Sequence, residues 1–182
     1  MGVIKMFNRD AGVRLVAVPA CSNISTSLKR MDFADAYEVH LSKPQLDASA
    51  AYWAVFGVEP VWVRWLMCLR GHIAVLLGLT HPFDTTKHSA DVVPVLQLGV
   101  RVGAFTVQTV SPNEVIVGDD DKHLNFRISC LKTASGGRTY ITISTAVEIH
   151  NTLGRIYMFV VKPFHRFIAP LMVQRASSEG RL

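Results

Sequence analysis

The fold is decided by residues 122–150, KHLNFRISCLKTASGGRTYITISTAVEIH, in which apolar and polar side chains alternate on both sides of a glycine-rich turn. Alternation with a period of two is typical of half-buried β-strands, so this stretch predicts an antiparallel hairpin. We expect Lys132 to pair with Thr139 across the turn. One face is then apolar and meets the core, and the other is polar and meets solvent. The apolar face carries Leu124, Phe126, Ile128, Cys130, Ile141, Ile143, Thr145 and Val147.

Strands and helices are also predicted on the N-terminal side of this hairpin. Residues 103–120 predict a second hairpin around a turn that contains Pro112. Residues 32–41, DFADAYEVHL, alternate as a strand does. Residues 42–57 and 60–79 have the apolar spacing of two short helices, the first with a capping box at Ser42 and Gln45 and a stop at Gly57. Two arginines and a histidine interrupt the second helix, which makes a membrane span unfavourable.

A long helix is predicted on the C-terminal side, after His150. Asn151 or Thr152 would cap it, Gly154 would let it approach the sheet, and Pro163 would kink it. Its cationic residues oppose a membrane span. Its apolar residues recur at helical spacing: Leu153, Ile156, Val160, Phe164, Phe167 and Leu171.

Length and element order predict one α+β domain. The 182 residues are enough for a single core. We expect a weakly structured arm over residues 1–30 with one edge strand near residues 13–18, a domain over residues 31–177, and a tail over residues 178–182. In the domain, a curved antiparallel sheet grips the long C-terminal helix, and two short helices after the first strand close one end of the sheet.

This arrangement resembles the helix-grip fold of START-like (SRPBCC) proteins. Three stretches carry the resemblance: DFADAYEV at 32–39, RVGAFTV with VGDDDKHLNFRIS at 101–129, and VEIHNTLGRIYMFVVKPFHRFIAP at 147–170. Their order and wording resemble a bacterial family known only as a domain of unknown function, some members of which follow a short-chain dehydrogenase module. The resemblance covers residues 30–176 and implies a START-like fold without a known activity. Because no dinucleotide fingerprint is present, the chain resembles the stand-alone form.

Charge and cysteine content limit the partners and the compartment. The net charge of +5 is compatible with nucleic acid or anionic lipid, but no basic run interleaved with aromatic residues is present, so we expect no nucleic acid partner. Three cysteines imply no disulfide framework, and charges interrupt the apolar residues at the N-terminus, so we expect a cytoplasmic protein. We also expect no cofactor and no metal, because Cys68, His72, His81 and His88 lack a further ligand at conventional spacing.

The candidate catalytic residues are His123, Glu148 and His150. In the predicted register His123 lies opposite Glu148, as a general base and its orienting carboxylate would. The alternative is an exposed cross-strand ion pair on the solvated face. His150 either belongs to a polar cluster at the mouth of a cavity or bonds a backbone carbonyl where strand and helix join.

Three functions remain open, and the lack of an assembled catalytic set favours the first. A binding module would hold a small hydrophobic molecule between the sheet and the long helix. A cyclase- or hydrolase-type enzyme would use His123 or His150 as base, with Arg127 or Arg155 binding an oxyanion. A peripheral module would make weak contact with an anionic membrane or with a protein through residues 61–73. The oligomeric state stays open. The predicted ligand-binding residues are Trp53, Trp62, Trp65, Phe126, Arg127, Arg155 and Tyr157.

Overall fold

The hairpin of residues 124–149 lies in the middle of a seven-stranded antiparallel sheet. The computed structural model describes residues 12–58, 60, 63, 95–103 and 105–182. The strands are β1 (Arg14–Val16), β2 (Phe33–His40), β3 (Arg101–Val102), β4 (Phe105–Val110), β5 (Glu114–Asp120), β6 (Leu124–Ser135) and β7 (Arg138–Ile149). The described helices are α1 (Ala48–Phe56) and α2 (Thr152–Ser178). The strand order is β1-β2-β7-β6-β5-β4-β3, and α2 packs against β2 and β7. The predicted α+β fold, a sheet gripping a long C-terminal helix, is confirmed.

The turn of the central hairpin is tighter than predicted. Gly136 and Gly137 have φ angles of +57° and +74°, which side chains other than glycine rarely adopt and which a two-residue type I′ turn requires. Lys132 therefore pairs with Ile141, and the predicted pairing with Thr139 is wrong by two residues. A shift of two residues keeps every side chain on its predicted face.

The remaining strands follow the predicted pattern. β4 and β5 form the second hairpin around Pro112, with an irregularity between Val107 and Thr109. β2 pairs with β7 over its whole length, and β1 adds the edge strand next to β2.

Helix α1 begins later than the sequence predicts. Its N-cap is Asp47, whose carboxylate accepts a hydrogen bond from the Ala50 N–H at 2.7 Å. The predicted capping box at Ser42 and Gln45 is therefore wrong, because these residues precede the helix. The helix ends at Gly57 as predicted. The second predicted helix, over residues 60–79, lies outside the described residues apart from Pro60 and Val63.

Helix α2 starts where the sequence predicts and lies close to the sheet. The Asn151 side chain caps it by accepting a hydrogen bond from the Gly154 N–H at 3.1 Å. A Cβ atom on Gly154 would lie 2.3 Å from the His123 carbonyl oxygen, so only glycine allows this approach. The helix continues without interruption through Pro163 and Pro170.

The outer face of the central hairpin is buried, and the prediction that solvent covers it is wrong. The segment that follows β1 crosses this face and includes a short 3-10 helix, Asn23–Thr26, which contacts β6 and β7. Ile24 and Leu28 pack there against Ile116 and Ala146. The polar residues buried on this face are Glu114, Arg127, Ser129, Thr142, Ser144 and Glu148.

Candidate functional site

A cavity of about 240 Å³ lies between the inner face of the sheet and α2. Side chains of β6 and β7 form its floor, and side chains of α2 form its roof. Among the described lining residues only Thr145, Tyr157 and His165 carry polar side-chain atoms. The floor includes Phe126, Ile128, Ile143, Thr145 and Val147, and the roof includes Tyr157, Met158, Val161, His165, Ile168 and Met172.

His165 is held at the edge of this cavity by a buried acid. Its Nε2 atom lies 3.1 Å from Oδ1 of Asp35 on β2. The Asp35 side chain is only 7% exposed and that of His165 is 23% exposed. The ring of Phe33 packs edge-on against the imidazole, with 5.8 Å between the ring centroids. These contacts position the imidazole as they would in a binding or proton-transfer site.

Tyr37 adds a third polar group to this pair. Its hydroxyl donates to Oδ2 of Asp35 at 3.4 Å. Burial raises the pKa of Tyr37 to about 12, and the nearby Asp35 carboxylate also raises it. Tyr37 therefore keeps its proton at neutral pH and remains a hydrogen-bond donor.

The structure brings two of the predicted ligand-binding residues to the cavity. Phe126 lies on the floor and packs edge-on against Phe105, with 5.5 Å between the centroids. Tyr157 lies in the roof and is buried. Trp53 is half-buried on α1 and packs against the main core, apart from the described cavity lining. Trp62 and Trp65 lie outside the described residues.

The two predicted arginines lie elsewhere. Arg127 is buried on the outer face, where its Nη1 atom lies 2.7 Å from the Asp120 carboxylate and donates to the Phe126 carbonyl at 2.8 Å. Arg155 is exposed near the start of α2. The described structure therefore places neither arginine in the cavity wall.

The predicted cross-strand pair of His123 and Glu148 is wrong. In the observed register Asn125 lies opposite Glu148. The His123 ring instead bonds the Asn151 side chain, with 3.1 Å between Nδ1 and Oδ1. Glu148 is buried on the outer face and accepts a hydrogen bond from the Lys29 N–H at 3.3 Å.

His150 lies where β7 joins α2, and its side chain is exposed. Its backbone N–H donates to the His123 carbonyl at 2.9 Å. The structure thus connects His150 and His123 through the backbone, near the N-cap of α2, and it places Glu148 on the covered outer face.

A second buried carboxylate, Glu114, lies on the outer face. Ser22 donates to its Oε1 at 2.5 Å and Ser129 at 2.7 Å. Asn23 donates to its Oε2 from the backbone at 3.0 Å and from the side chain at 2.8 Å. Four donors satisfy this carboxylate, so it joins the N-terminal segment to the sheet.

Sequence reasoning did not identify Asp35 and His165. One signal was present for the acid: Asp35 has the same parity in its strand as Phe33, Tyr37 and Val39, so it is an acidic residue on an apolar face. His165 follows Val161 by one helical turn and therefore lies on the inner side of α2. Their contact joins residues 130 positions apart, which periodicity does not show.

The described residues include no candidate metal site, and one of their helices has the length and composition of a membrane span. In those ranges no three His, Cys, Asp or Glu side chains are grouped so that they could hold a metal ion. Helix α2 is long and apolar enough to cross a membrane by length and composition alone. Because α2 also packs on β2 and β7 and roofs the cavity, we interpret it as the gripped helix.

Comparison with known proteins identifies a family without an assigned activity. The model of a family described as a protein of unknown function (DUF2867) matches residues 27–172. The match runs from just before β2 into the last turns of α2, and it includes Asp35, Thr145 and His165. No curated protein matches the chain.

Proposed function

We propose that this chain, which belongs to the DUF2867 family, binds a small hydrophobic molecule in the cavity between the sheet and α2. The observation that carries this proposal is the cavity itself, with a volume of about 240 Å³ and an almost entirely apolar described lining. The antiparallel sheet around a long C-terminal helix also supports a START-like fold, which we include in the proposal.

The side chains around the cavity are incompletely packed. Protein interiors are normally packed as densely as organic crystals, so side chains around a cavity lack partners on one side. An apolar cavity excludes water because it offers few hydrogen bonds. A hydrophobic ligand that enters the cavity makes van der Waals contacts with the lining side chains, and its own apolar surface is removed from water.

Native mass spectrometry of the purified protein tests the proposal. We expect a mass above that of the chain, which disappears on denaturation, and an apolar compound in the organic extract. Added naphthalene should occupy the site where no endogenous compound is retained.

A matched pair of variants locates the binding. Ala169 lines the cavity and Ala134 is exposed near the end of β6. Ala169→Leu should lower occupancy by filling space, and Ala134→Leu should not. The proposal would be contradicted if native mass spectra showed only the unliganded chain both with and without naphthalene. Equal effects of the two variants on occupancy would also contradict it.

A second proposal is weak contact with an anionic membrane through the outer side of α2. Phe159 is 83% exposed there and Phe167 is 54% exposed. Ile156, Val160 and Phe164 extend this exposed apolar stripe at helical spacing, and Val160 and Phe164 also reach the cavity lining at its edge. This stripe differs from residues 61–73, the segment that the sequence offered for the same role, of which only Val63 lies within the described residues.

Charges on the same helix favour an anionic surface. Arg155, Lys162 and Arg166 lie on α2, and residues 152–178 contain no Asp or Glu. Lys162 and Arg166 also lie over the ring of Phe33, at 5.3 and 6.0 Å from its centroid. Burying one Phe side chain contributes about 1.5–3 kcal/mol, and each cation near an anionic surface about 1 kcal/mol.

Vesicle flotation tests the membrane proposal. The protein should float with vesicles of phosphatidylcholine and phosphatidylglycerol, and much less with phosphatidylcholine alone. Phe159→Ser should reduce binding by roughly tenfold or more. Leu98→Ser, which changes an exposed side chain elsewhere, is the control. Equal loss in both variants, or no flotation, would exclude the α2 surface.

The enzymatic alternative loses its main support. It rests on His, Glu, Asn and Arg side chains gathered at adjacent strand ends, but Glu148 pairs with Asn125 and is buried with Arg127 on the outer face, apart from the exposed His150. We therefore do not propose a cyclase or hydrolase built on these residues.

A further inference from the structure

The cavity has a polar side near His165, where β2 and β7 run next to each other. Asp35 pairs with Thr145 in the register of these strands, so both side chains lie on the inner face. We infer that this polar side binds a hydroxyl group, and that the ligand is a small apolar alcohol or phenol. The inference rests on the proposed binding function and adds the chemical class of the ligand.

His165 supplies the acceptor for such a hydroxyl. Nε2 lies within hydrogen-bond distance of the Asp35 carboxylate, which can only accept, so in the neutral form of the ring the proton lies on Nε2. Nδ1 then carries a lone pair. Within the described part of the chain, no hydrogen bond involves Nδ1. A ligand O–H in the cavity can donate to it.

Thr145 supplies the donor. It is 8% exposed and lies in the cavity floor. No described residue forms a hydrogen bond with its hydroxyl, whose proton rotates to suit a partner. A ligand hydroxyl both donates and accepts one bond, so it satisfies His165 and Thr145 together.

The buried Asp35 carboxylate determines which polar groups are excluded. A ligand carboxylate would place a second negative charge beside a side chain that is only 7% exposed, while the nearby cations Lys162 and Arg166 lie over the ring of Phe33 and not in the cavity lining. A pure hydrocarbon would leave the polar groups of His165 and Thr145 without partners. A neutral hydroxyl avoids both costs.

The cavity is partly open, so its volume indicates the size of the part of a ligand that it can enclose. About 240 Å³ is below the range of roughly 300–1,000 Å³ that is typical of sites for drug-sized ligands. A molecule with one or two rings, or a short branched chain, fits this space.

Equilibrium dialysis at pH 7 with naphthalene, 1-naphthol and 1-naphthoate tests the inference, since these probes share one ring system. The wild-type protein should bind 1-naphthol about tenfold more tightly than naphthalene, and 1-naphthoate most weakly. His165→Phe and Thr145→Val should each weaken 1-naphthol by roughly threefold to tenfold and leave naphthalene unchanged. Asp35→Asn should improve binding of 1-naphthoate.

Thr142→Val is the matched control, because it makes the same change on the same strand but on the outer face. It should leave all three affinities unchanged. Equal weakening of naphthalene and 1-naphthol in both cavity variants, or tightest binding of 1-naphthoate, would overturn the inference. If wild-type protein binds naphthalene as tightly as 1-naphthol, the inference fails and the binding function stands. If none of the three probes binds, both fail.

Discussion

The two faces of the central hairpin come from the same alternating strands but are buried in different ways. On the inner face, apolar side chains meet α2 and still leave a cavity of about 240 Å³. On the outer face, polar side chains are buried beneath the segment that follows β1, and several of them bond around the Glu114 carboxylate. A polar face of this sheet is therefore not a solvated face. The cavity shows that packing is incomplete on the apolar inner face, beneath α2.

The largest expected effect tests the hydrogen bonding of the outer face. Glu114→Gln replaces a carboxylate that accepts four hydrogen bonds with an amide that has one acceptor oxygen. We expect a loss of about 2–4 kcal/mol in the free energy of unfolding, measured by urea denaturation.

An exposed ion pair provides the control for Glu114. Glu38 lies 2.7 Å from Arg14, whose side chain is 63% exposed, and Glu38→Gln should cost less than about 1 kcal/mol. Similar losses in both variants would show that the outer network does not hold the N-terminal segment.

The next effect tests the contact between α2 and the sheet. Gly154→Ala would place a Cβ atom 2.3 Å from the His123 carbonyl oxygen. We expect a loss of about 1–3 kcal/mol in thermal or urea unfolding. Replacing an unconstrained helical glycine with alanine usually stabilises a protein by up to about 1 kcal/mol. A stabilised Gly154→Ala variant would therefore contradict the close approach of α2.

A smaller effect of opposite sign is expected on the outer face. The hydroxyls of Thr142 and Ser144 are buried there, and no described residue forms a hydrogen bond with either. Thr142→Val should stabilise the protein by about 1 kcal/mol, because it removes an unsatisfied polar group from the interior. Differential scanning calorimetry measures the change, and a lower melting temperature would show that the hydroxyl has a partner.

The smallest effect is a pH dependence on the inner face. The pKa of Tyr37 rises to about 12 in the folded protein, so the folded state binds this proton more tightly than the unfolded chain does. Its contribution to stability is therefore present below pH 10 and is lost as the pH rises from about 10 to 12. Tyr37→Phe should show a shallower loss of stability in that range. If the free energy of unfolding fell equally steeply with pH in both proteins, the Tyr37 hydroxyl would be in contact with water.

The faces of the strands were predictable from the sequence, and the register was not. Alternation assigns each residue to a face independently of its partner, so Phe126, Ile128 and Thr145 were placed on the inner face. The register depends on the turn. The positive φ angles at Gly136 and Gly137 allow a two-residue loop, which is shorter than the loop implied by pairing Lys132 with Thr139.

Burial of the outer face required information that local patterns do not contain. Residues 12–32 have weak periodicity, and the bonds from Ser22 and Asn23 to Glu114 join residues more than 90 positions apart. The polar side of the cavity was missed for the same reason, since Asp35 and His165 meet only when α2 packs on β2.

Methyl NMR during a titration with naphthalene tests the central claim, that the cavity on the inner face of the sheet binds hydrophobic molecules. Ile128 and Ile143 on the inner face of the sheet and Ile168 on α2 line the cavity, whereas Ile116 lies on the outer face and Ile24 packs against it. Saturable shifts of the three cavity isoleucines, with the two outer isoleucines unchanged, are the predicted result. No saturable shift, or equal shifts on both faces, would contradict the claim.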